Sequence, residues 1–284
     1  MVRSRLAPTP SGYLHAGNAL NFLLTEALVE RAGGRLHLRI DDLDGARVRP
    51  AYLANIFDTL HWLGIRWDSG PHNVADFQAH YSQHLRLDRY AALLAALVAR
   101  PGLVYACTCS RAQVAATTGP NGPNGQYAGT CRDKHLPLTT ANAVWRVRVP
   151  PEATVQFTDG FLGSRTLDVA ELVGDFVIRK KDGLPAYQTA SLADDIADGI
   201  TLIVRGEDLL PSTAAQLWLA AQAGSGWAAF ADVRFYHHPL LLDSAGRKLS
   251  KSQQTPLDRG ALHDAALTPA ALRGLAAQWL AEAT

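Results

Sequence analysis

Apolar positions repeat at two spacings along this chain, and each change of spacing marks an element. Residues 3–7 read as a short strand. Residues 17–32, GNALNFLLTEALVERA, carry apolar side chains at helical spacing and stop at Gly33-Gly34, a pair suited to ending a helix. Arg35 to Ile40, RLHLRI, alternates with the period of a strand. Strand, helix and strand within roughly 40 residues predict the start of a parallel, doubly wound sheet. Pro50 opens a further helix, PAYLANIFDTLHWLG, with Trp62, Leu63 and Ile65 expected in the core, and Trp67 to Gly70 is a turn. A second helix is predicted from about Phe77 to Ala99, its AALLAALVA stripe buried and Tyr81, His84 and Arg86 on a solvated or internally bonded face.

The texture changes at Pro101. Short strand candidates at Leu103–Tyr105, Val144–Val149, Thr154–Phe157 and Asp175–Lys180 alternate with Gly/Asn-rich loops, including the excursion TTGPNGPNGQYAGTC. Residues 101–185 therefore read as a smaller inserted domain. Afterwards Tyr187–Asp198 is a helix with an acidic face. Thr201–Arg205, TLIVR, is a near-continuous apolar strand of the kind covered on both sides, with Gly206-Glu207-Asp208 at its carboxyl end. A helix from Ser212 or Thr213 to Ala223 and a last strand at Val233–Tyr236 complete the sheet. Residues 261–283 predict two short helices, Thr268 capping and Pro269 starting the second. No internal repeat is visible.

With 284 residues, 48% of them hydrophobic, the chain can build a substantial core, and composition excludes a disordered protein. Neither a membrane-spanning run nor a signal-peptide core is present, so a soluble, cytoplasmic protein is expected, working as a monomer. The formal net charge of +1 leaves nucleic-acid binding to local patches. Arg47, Arg49, Arg132, Lys134, Arg179, Lys180 and Lys181 are candidates by charge alone. Three cysteines, an odd number, argue against a disulfide framework.

Four groups of residues could carry chemistry. The stretch Arg3–Asn18, RSRLAPTPSGYLHAGN, is strand, proline-broken turn and helix start. It would aim free N–H groups and a helix dipole at a phosphate, or it is a bare structural turn; its spacing is not that of a dinucleotide loop. Asp41, Asp42 and Asp44 lie at a strand's carboxyl end, where such sheets bind ligands. They could hold magnesium, grip an ammonium group or cap the next turn. Cys107, Cys109 and Cys131 offer three thiolates toward a tetrahedral zinc site. Tyr127, Asp133 and His135 are the nearby fourth donors, and imidazole is chemically the easiest. Last, Arg247–Ser252 sets Lys248 and Lys251 three apart among hydroxyls. This suits developing phosphate charge, although a solvated lysine turn has the same composition.

Taken together, Pro10-Ser11-Gly12-Tyr13-Leu14-His15-Ala16-Gly17-Asn18 and Lys248-Leu249-Ser250-Lys251-Ser252 resemble the two nucleotide-binding signatures of class I aminoacyl-tRNA synthetases of the glutamyl type. RIDDLD and VRGEDLL strengthen the resemblance, which covers about residues 3–255. The chain stops some 30 residues after the second signature, where a full glutamyl enzyme carries an anticodon-binding region. It thereby resembles the truncated glutamyl-Q tRNA(Asp) synthetase family.

The resemblance implies an α/β fold. A Rossmann-type doubly wound parallel sheet (1–100 and 186–246) would hold an inserted smaller α+β zinc-containing domain (101–185). The signature loop and a short helical tail (247–284) would follow, without an anticodon-binding domain. It implies ATP, L-glutamate and queuosine-containing tRNA(Asp) as partners, with Mg2+ accompanying ATP. ATP would meet Pro10, Gly12, His15, Gly17, Asn18 and Lys251, and His15, Lys248 and Lys251 would be catalytic. Glutamate would meet Arg5, Leu6, Ala7, Pro8, Thr9, Asp41, Tyr187 and Arg205, with Asp41 one methylene shorter than the glutamate frequent there. One structural zinc would be held by Cys107, Cys109, Tyr127 and Cys131, so that tyrosine replaces the histidine that chemistry alone favours. An ordinary glutamyl-tRNA synthetase charging the 3′ end, and a non-catalytic tRNA-binding paralogue, are the competing readings.

Overall fold

The structure, a computed structural model, describes residues 1–118, 126–241 and 267–282. Its helices are α1 (Ala16–Arg31), α2 (Pro50–Trp62), α3 (Val74–Asp76), α4 (Leu87–Val98), α5 (Arg111–Thr118), α6 (Val169–Leu172), α7 (Tyr187–Ala197), α8 (Leu210–Ala223) and α9 (Pro269–Glu282). Its strands are β1 (Arg3–Leu6), β2 (Arg35–Leu38), β3 (Val104–Cys107), β4 (Val144–Val147), β5 (Thr154–Asp159), β6 (Gly163–Asp168), β7 (Val177–Arg179), β8 (Leu202–Gly206) and β9 (Arg234–His238). No helix among the described residues is long and apolar enough to cross a membrane.

The main sheet runs β2-β1-β8-β9-β5-β6. Strands β2, β1, β8 and β9 are mutually parallel, as the opening strand, helix and strand predict. Alternation along β8 explains its apolar run: Leu202 and Val204 join the core with α1 and α2, whereas Ile203 joins the core with α4, α7 and α8. Both faces of the strand are therefore covered. Helix α9 packs on α1, where Arg273 reaches Glu26 at 2.9 Å and the carbonyl of Leu63 at 2.7 Å. Thr268 caps it, accepting from the backbone N–H of Ala271. The preceding part of the predicted tail lies outside the described residues.

The stretch 101–185 divides between two sheets. Strands β3, β4 and β7 form a separate antiparallel sheet. The hairpin β5-β6 instead extends the main sheet, through the pair Asp159 with Phe235. The physical cause is local. Asp159 accepts from the backbone N–H of His237, and Gly160 N–H donates to the carbonyl of Phe235 at 2.8 Å. A side chain at Gly160 would put its Cβ 2.0 Å from the Tyr236 ring, so only glycine permits this approach.

The helix expected from Phe77 to Ala99 is broken. A π-turn (Phe77–Tyr81) and a 3-10 turn (Gln83–Arg86) precede α4. Asp42 accepts from Ser82 Oγ at 2.6 Å and from the backbone N–H of Gln83 at 2.8 Å, which restarts the chain at Ser82. The acidic face of α7 is turned inward. Asp194 and Asp195 are fully buried, Asp194 by Arg86, Tyr90 and Gln83.

Beneath the sheet, His37 on β2 contacts Ser69 Oγ at 2.9 Å and faces Asp198 at 3.6 Å. Burial, joined by the charges of Arg3, Arg39 and Arg86, pulls its pKa down from 6.5 to about 4 against the opposing pull of Asp198. The unfolded chain thus binds a proton below about pH 6.5 that the folded chain refuses until about pH 4, so stability falls as pH falls through that window. Replacing His37 with Gln is expected to remove about 3 kcal/mol of that decline by pH 4. Denaturant titrations of both proteins between pH 7 and pH 4 check this, and parallel curves would refute it.

Candidate active site

The carboxyl ends of β1, β2 and β8 meet the start of α7, and the predicted substrate residues collect there. After β1 the chain stays beside β2: Arg39 N–H donates to the carbonyl of Leu6 and Asp41 N–H to that of Pro8, at 2.9 and 3.0 Å. Residues Leu6, Ala7, Pro8 and Thr9 are thereby fixed next to Asp41. Arg5 and Arg39 then converge on one buried carboxylate of α7. Asp195 Oδ1 accepts from Arg5 Nε at 2.9 Å and from Arg39 Nη1 at 2.6 Å. Burial alone would raise the Asp195 carboxyl, but Arg39, Arg5 and Arg205 outweigh it and hold the group below the usual range.

Asp41 is not an open carboxylate. Both its oxygens accept from Arg39, at 2.7 and 3.3 Å, and burial raises its pKa despite that pair. The expected competition among the three strand-end carboxylates resolves by position. Asp42 is taken up in capping the restart at Ser82, while Asp41 and Asp44 both line the cavity, Asp44 paired with Arg47 through Nε at 2.6 Å. Each carboxylate oxygen has two lone-pair sites, so Asp41 retains acceptor capacity toward an ammonium group.

Arg205, at the end of β8, is 3% exposed and makes no ion pair among the described residues. Its Nη1 donates to Gln216 Oε1 at 3.0 Å and Thr213 Oγ1 at 3.3 Å. Nε and Nη2 have no hydrogen-bond partner among the described residues. That edge presents two parallel N–H directions, the geometry that grips a carboxylate bidentately. Burial lowers the Arg205 pKa to about 10, with Tyr187 and Asp195 pulling upward and Arg5 and Arg39 downward. The group stays a cation at neutral pH.

Thr9, Asp41, Tyr187 and Ser191 line one end of a cavity of about 1530 Å³. It extends to Arg146 of the smaller sheet, Cys109 just after β3 and Arg111 at the start of α5, with Arg47, Lys180 and Lys181 on its wall. This exceeds what one amino acid fills. Tyr187 is half-exposed at the entrance to α7. Of the other basic residues proposed by charge, Arg132 is committed to Asp175 and the carbonyl of Val149, and Arg179 stacks on Trp145.

The first signature forms a capped helix start. His15 Nδ1 accepts from Gly17 N–H at 3.1 Å, and Asn18 Oδ1 accepts from His15 N–H at 3.1 Å. Accepting at Nδ1 makes Nε2 the protonated nitrogen of the neutral ring, a donor suited to phosphate oxygen. A Cβ at Gly17 would stand 3.0 Å from the His15 ring and push it aside. Asn55 of α2 steadies the turn by accepting from Leu14 N–H, and Tyr52 packs edge-on to Tyr13. Pro10 and Gly12 lie in this turn. Lys248 and Lys251 lie outside the described residues.

The thiols of Cys107, Cys109 and Cys131 lie within 4.8 Å of one another. Tyr127 Oη sits 3.3 Å from Cys107 Sγ and 3.5 Å from Cys109 Sγ. His135, the chemically easier donor, is exposed and outside the cluster. Sulfur ligands of a tetrahedral zinc stand about 3.8 Å apart, so this donor set fits such an ion. Burial opposes ionisation of Cys131, but hydrogen bonds from Tyr127 and the backbone of Thr108 bring its thiol down to about 6.

Sequence reasoning missed Arg39, Asp195, Thr213 and His237. Arg39 has a visible signal, an arginine inside the alternating strand RLHLRI. The others need the fold, because the partners of Asp195 are more than 150 residues away. Replacing Asp195 with Asn leaves Arg5 and Arg39 buried without their shared counter-charge, and about 3–5 kcal/mol of stability is expected to be lost. Equilibrium unfolding in urea measures it; a loss under 1 kcal/mol would show that the pair is not what joins α7 to the sheet.

Residues 1–277 match the family described as tRNA synthetases class I (E and Q), catalytic domain. A glutamyl-Q tRNA(Asp) synthetase of Nitratidesulfovibrio vulgaris is 38% identical over 283 residues, covering 96% of this chain and 85% of the relative. One from Pseudomonas aeruginosa is 39% identical over 252 residues, covering 89% and 78%. The glutamate-tRNA synthetase structure from Elizabethkingia anophelis superposes with a TM-score of 0.72 at 27% identity, covering 88% of this chain and 52% of that one. The chain thus spans about half the length of that solved enzyme. With signature turn, mixed parallel sheet and charged strand ends in place, the chain belongs to the class I tRNA synthetases of the E and Q type and is a ligase of that family.

Proposed function

We propose that this enzyme activates L-glutamate with ATP and transfers it to the queuosine base in the anticodon of tRNA(Asp). The observation that carries glutamate is Arg205, a buried cation whose Nε and Nη2 edge has no partner among the described residues. The names of the relatives support the queuosine acceptor.

The side-chain carboxylate of glutamate would lie on Arg205 with Arg5 beside it, and its α-ammonium group would approach Asp41. Thr9 and Tyr187 would close the subsite. The α-carboxylate then attacks the α-phosphorus of ATP in line, forming the acyl phosphate bond as the bond to pyrophosphate breaks. The attacking group is already ionised, so no protein base is needed, and catalysis is positioning and charge stabilisation. His15 and the N–H groups near Gly17 would contact the phosphates, with Lys251, aided by Lys248, neutralising the reacting phosphoryl. Magnesium would accompany ATP and share that neutralisation. A hydroxyl of the queuosine cyclopentenediol next attacks the adenylate carbonyl and AMP leaves. The size of the cavity and its cations Arg47, Lys180 and Lys181 support entry of an unstacked base with its phosphates. Zinc held by Cys107, Cys109, Tyr127 and Cys131 would fasten the smaller sheet that forms one wall.

Glutamate-dependent exchange of pyrophosphate with ATP, without tRNA, tests the first step. Lys251→Ala is expected to slow it at least about 100-fold, a barrier increase near 2.7 kcal/mol, and a near-normal rate would remove Lys251 from its role. Acceptor identity is tested by oxidising the 3′ end with periodate while queuosine's own diol is protected. Continued glutamylation that requires queuosine supports the proposal, whereas loss of acceptance points to 3′-end charging. About one zinc per chain is expected by metal analysis, with Cys107→Ser releasing it and lowering thermal stability. Wild-type protein purified without zinc would end that part of the reading.

A further inference from the structure

Behind Arg205, on the side away from the proposed substrate, runs a line of buried polar side chains ending at Asp159. Asp159 Oδ2 lies 2.6 Å from His237 Nδ1, and His237 Nε2 lies 2.8 Å from Thr213 Oγ1. Thr213 Oγ1 in turn receives Arg205 Nη1 at 3.3 Å. Asp159, His237 and Thr213 are each no more than 1% exposed. Rings of Phe157 and Phe235 flank the imidazole, with centroids 6.0 Å away on either contact.

The hydrogen-bond geometry assigns a direction to each proton in this line. Asp159 Oδ1 also accepts from the backbone N–H groups of Phe161 and Leu162 at 2.9 and 3.0 Å, and His237 N–H reaches both its oxygens at 3.2 Å. Burial alone would raise the Asp159 carboxyl, but these donors, His237 foremost, hold it below the usual range. An ionised carboxylate can only accept, so His237 carries its proton on Nδ1. Burial keeps the ring neutral, so Nε2 is a lone pair and must accept from the Thr213 hydroxyl. The hydroxyl oxygen is then left to accept from Arg205 Nη1. Gln216 Oε1 takes the other Nη1 proton.

We propose that Asp159, His237 and Thr213 are positioning residues that set the rotation of the Arg205 guanidinium. Both Nη1 protons are held by the protein, which turns the Nε and Nη2 edge toward the substrate carboxylate. If the hydroxyl were turned round, Thr213 would donate toward Arg205 and repel it. The neutral, Nδ1-protonated imidazole prevents that turn. The role rests on the proposed function, since it acts through the carboxylate grip of Arg205.

The test varies the hydroxyl while conserving shape. Glutamate-dependent pyrophosphate exchange is measured for wild type, Thr213→Val and Thr213→Ser, each first checked for folding by thermal melting. Thr213→Val is expected to raise the KM for glutamate about tenfold with the KM for ATP unchanged, the effect of losing one hydrogen bond to a charged group. Thr213→Ser is expected to stay within about threefold of wild type, because it keeps the hydroxyl. His237→Asn, which keeps an N–H toward Asp159 but removes Nε2, is expected to raise the glutamate KM in the same way. A folded Thr213→Val or His237→Asn with an unmoved glutamate KM, or with both KM values moving together, overturns the positioning role alone. If neither variant folds, the line serves folding and the proposal fails. Absence of glutamate-dependent exchange in wild type overturns the glutamate reading and this inference with it.

Discussion

One buried carboxylate, Asp195, ties the site to the fold. Its Oδ1 gathers Arg5 from β1 and Arg39 from just after β2 onto α7, and Arg39 goes on to hold both oxygens of Asp41. Two strands and a helix distant in sequence are thereby locked at the edge where a parallel sheet binds its ligands. An assembly of this kind adds little stability over a well-packed apolar one, because each ion gives up its hydration. Its value is geometric. Asp41, Arg5 and the turn carrying Thr9 cannot move separately.

The second consequence concerns which donors remain open. Around Arg39 and Asp41 most hydrogen-bonding capacity is satisfied within the protein, whereas at Arg205 one nitrogen is used up and a complete edge is left. Burial makes that unpartnered edge costly, which is why the Arg205 pKa falls. A carboxylate arriving there supplies both charge and acceptors. A neutral amide of the same shape supplies one acceptor and leaves the cation uncompensated. In the proposed reaction, discrimination between an acid and its amide would follow from what the protein withholds from Arg205 as much as from what it provides.

Much of the frame was legible in the sequence because it depends on local periodicity. The alternation in RLHLRI, the Gly33-Gly34 stop and the TLIVR run each encode an element within a few residues. The signature turn was legible for the same reason, since His15, Gly17 and Asn18 cap one helix among themselves. Long-range pairing was not. The acidic face of α7 is visible in the sequence, but its partners Arg5, Arg39 and Arg86 are not. The restart at Ser82 depends on Asp42, some 40 residues earlier. That β5 and β6 within 101–185 join the main sheet was not legible, because the link is a few contacts distant in sequence, Asp159 with His237 N–H and Gly160 N–H with the carbonyl of Phe235. Tyr127 beside the three thiols was accessible only by resemblance, as nothing in local chemistry prefers a phenol to His135.

Asp159 joins these two levels. The same carboxylate that pins β5 to β9 through backbone N–H groups also fixes the imidazole of His237. In the proposed positioning role, attachment of the hairpin and orientation of Arg205 would be coupled, since loosening the β5-β9 junction would also free the imidazole of His237 that faces Thr213 and Arg205. In the proposed reaction this would give the hairpin a reason to belong to the main sheet: it would carry the base on which Arg205 is mounted, while the signature turn, steadied by α2, would carry the phosphate end.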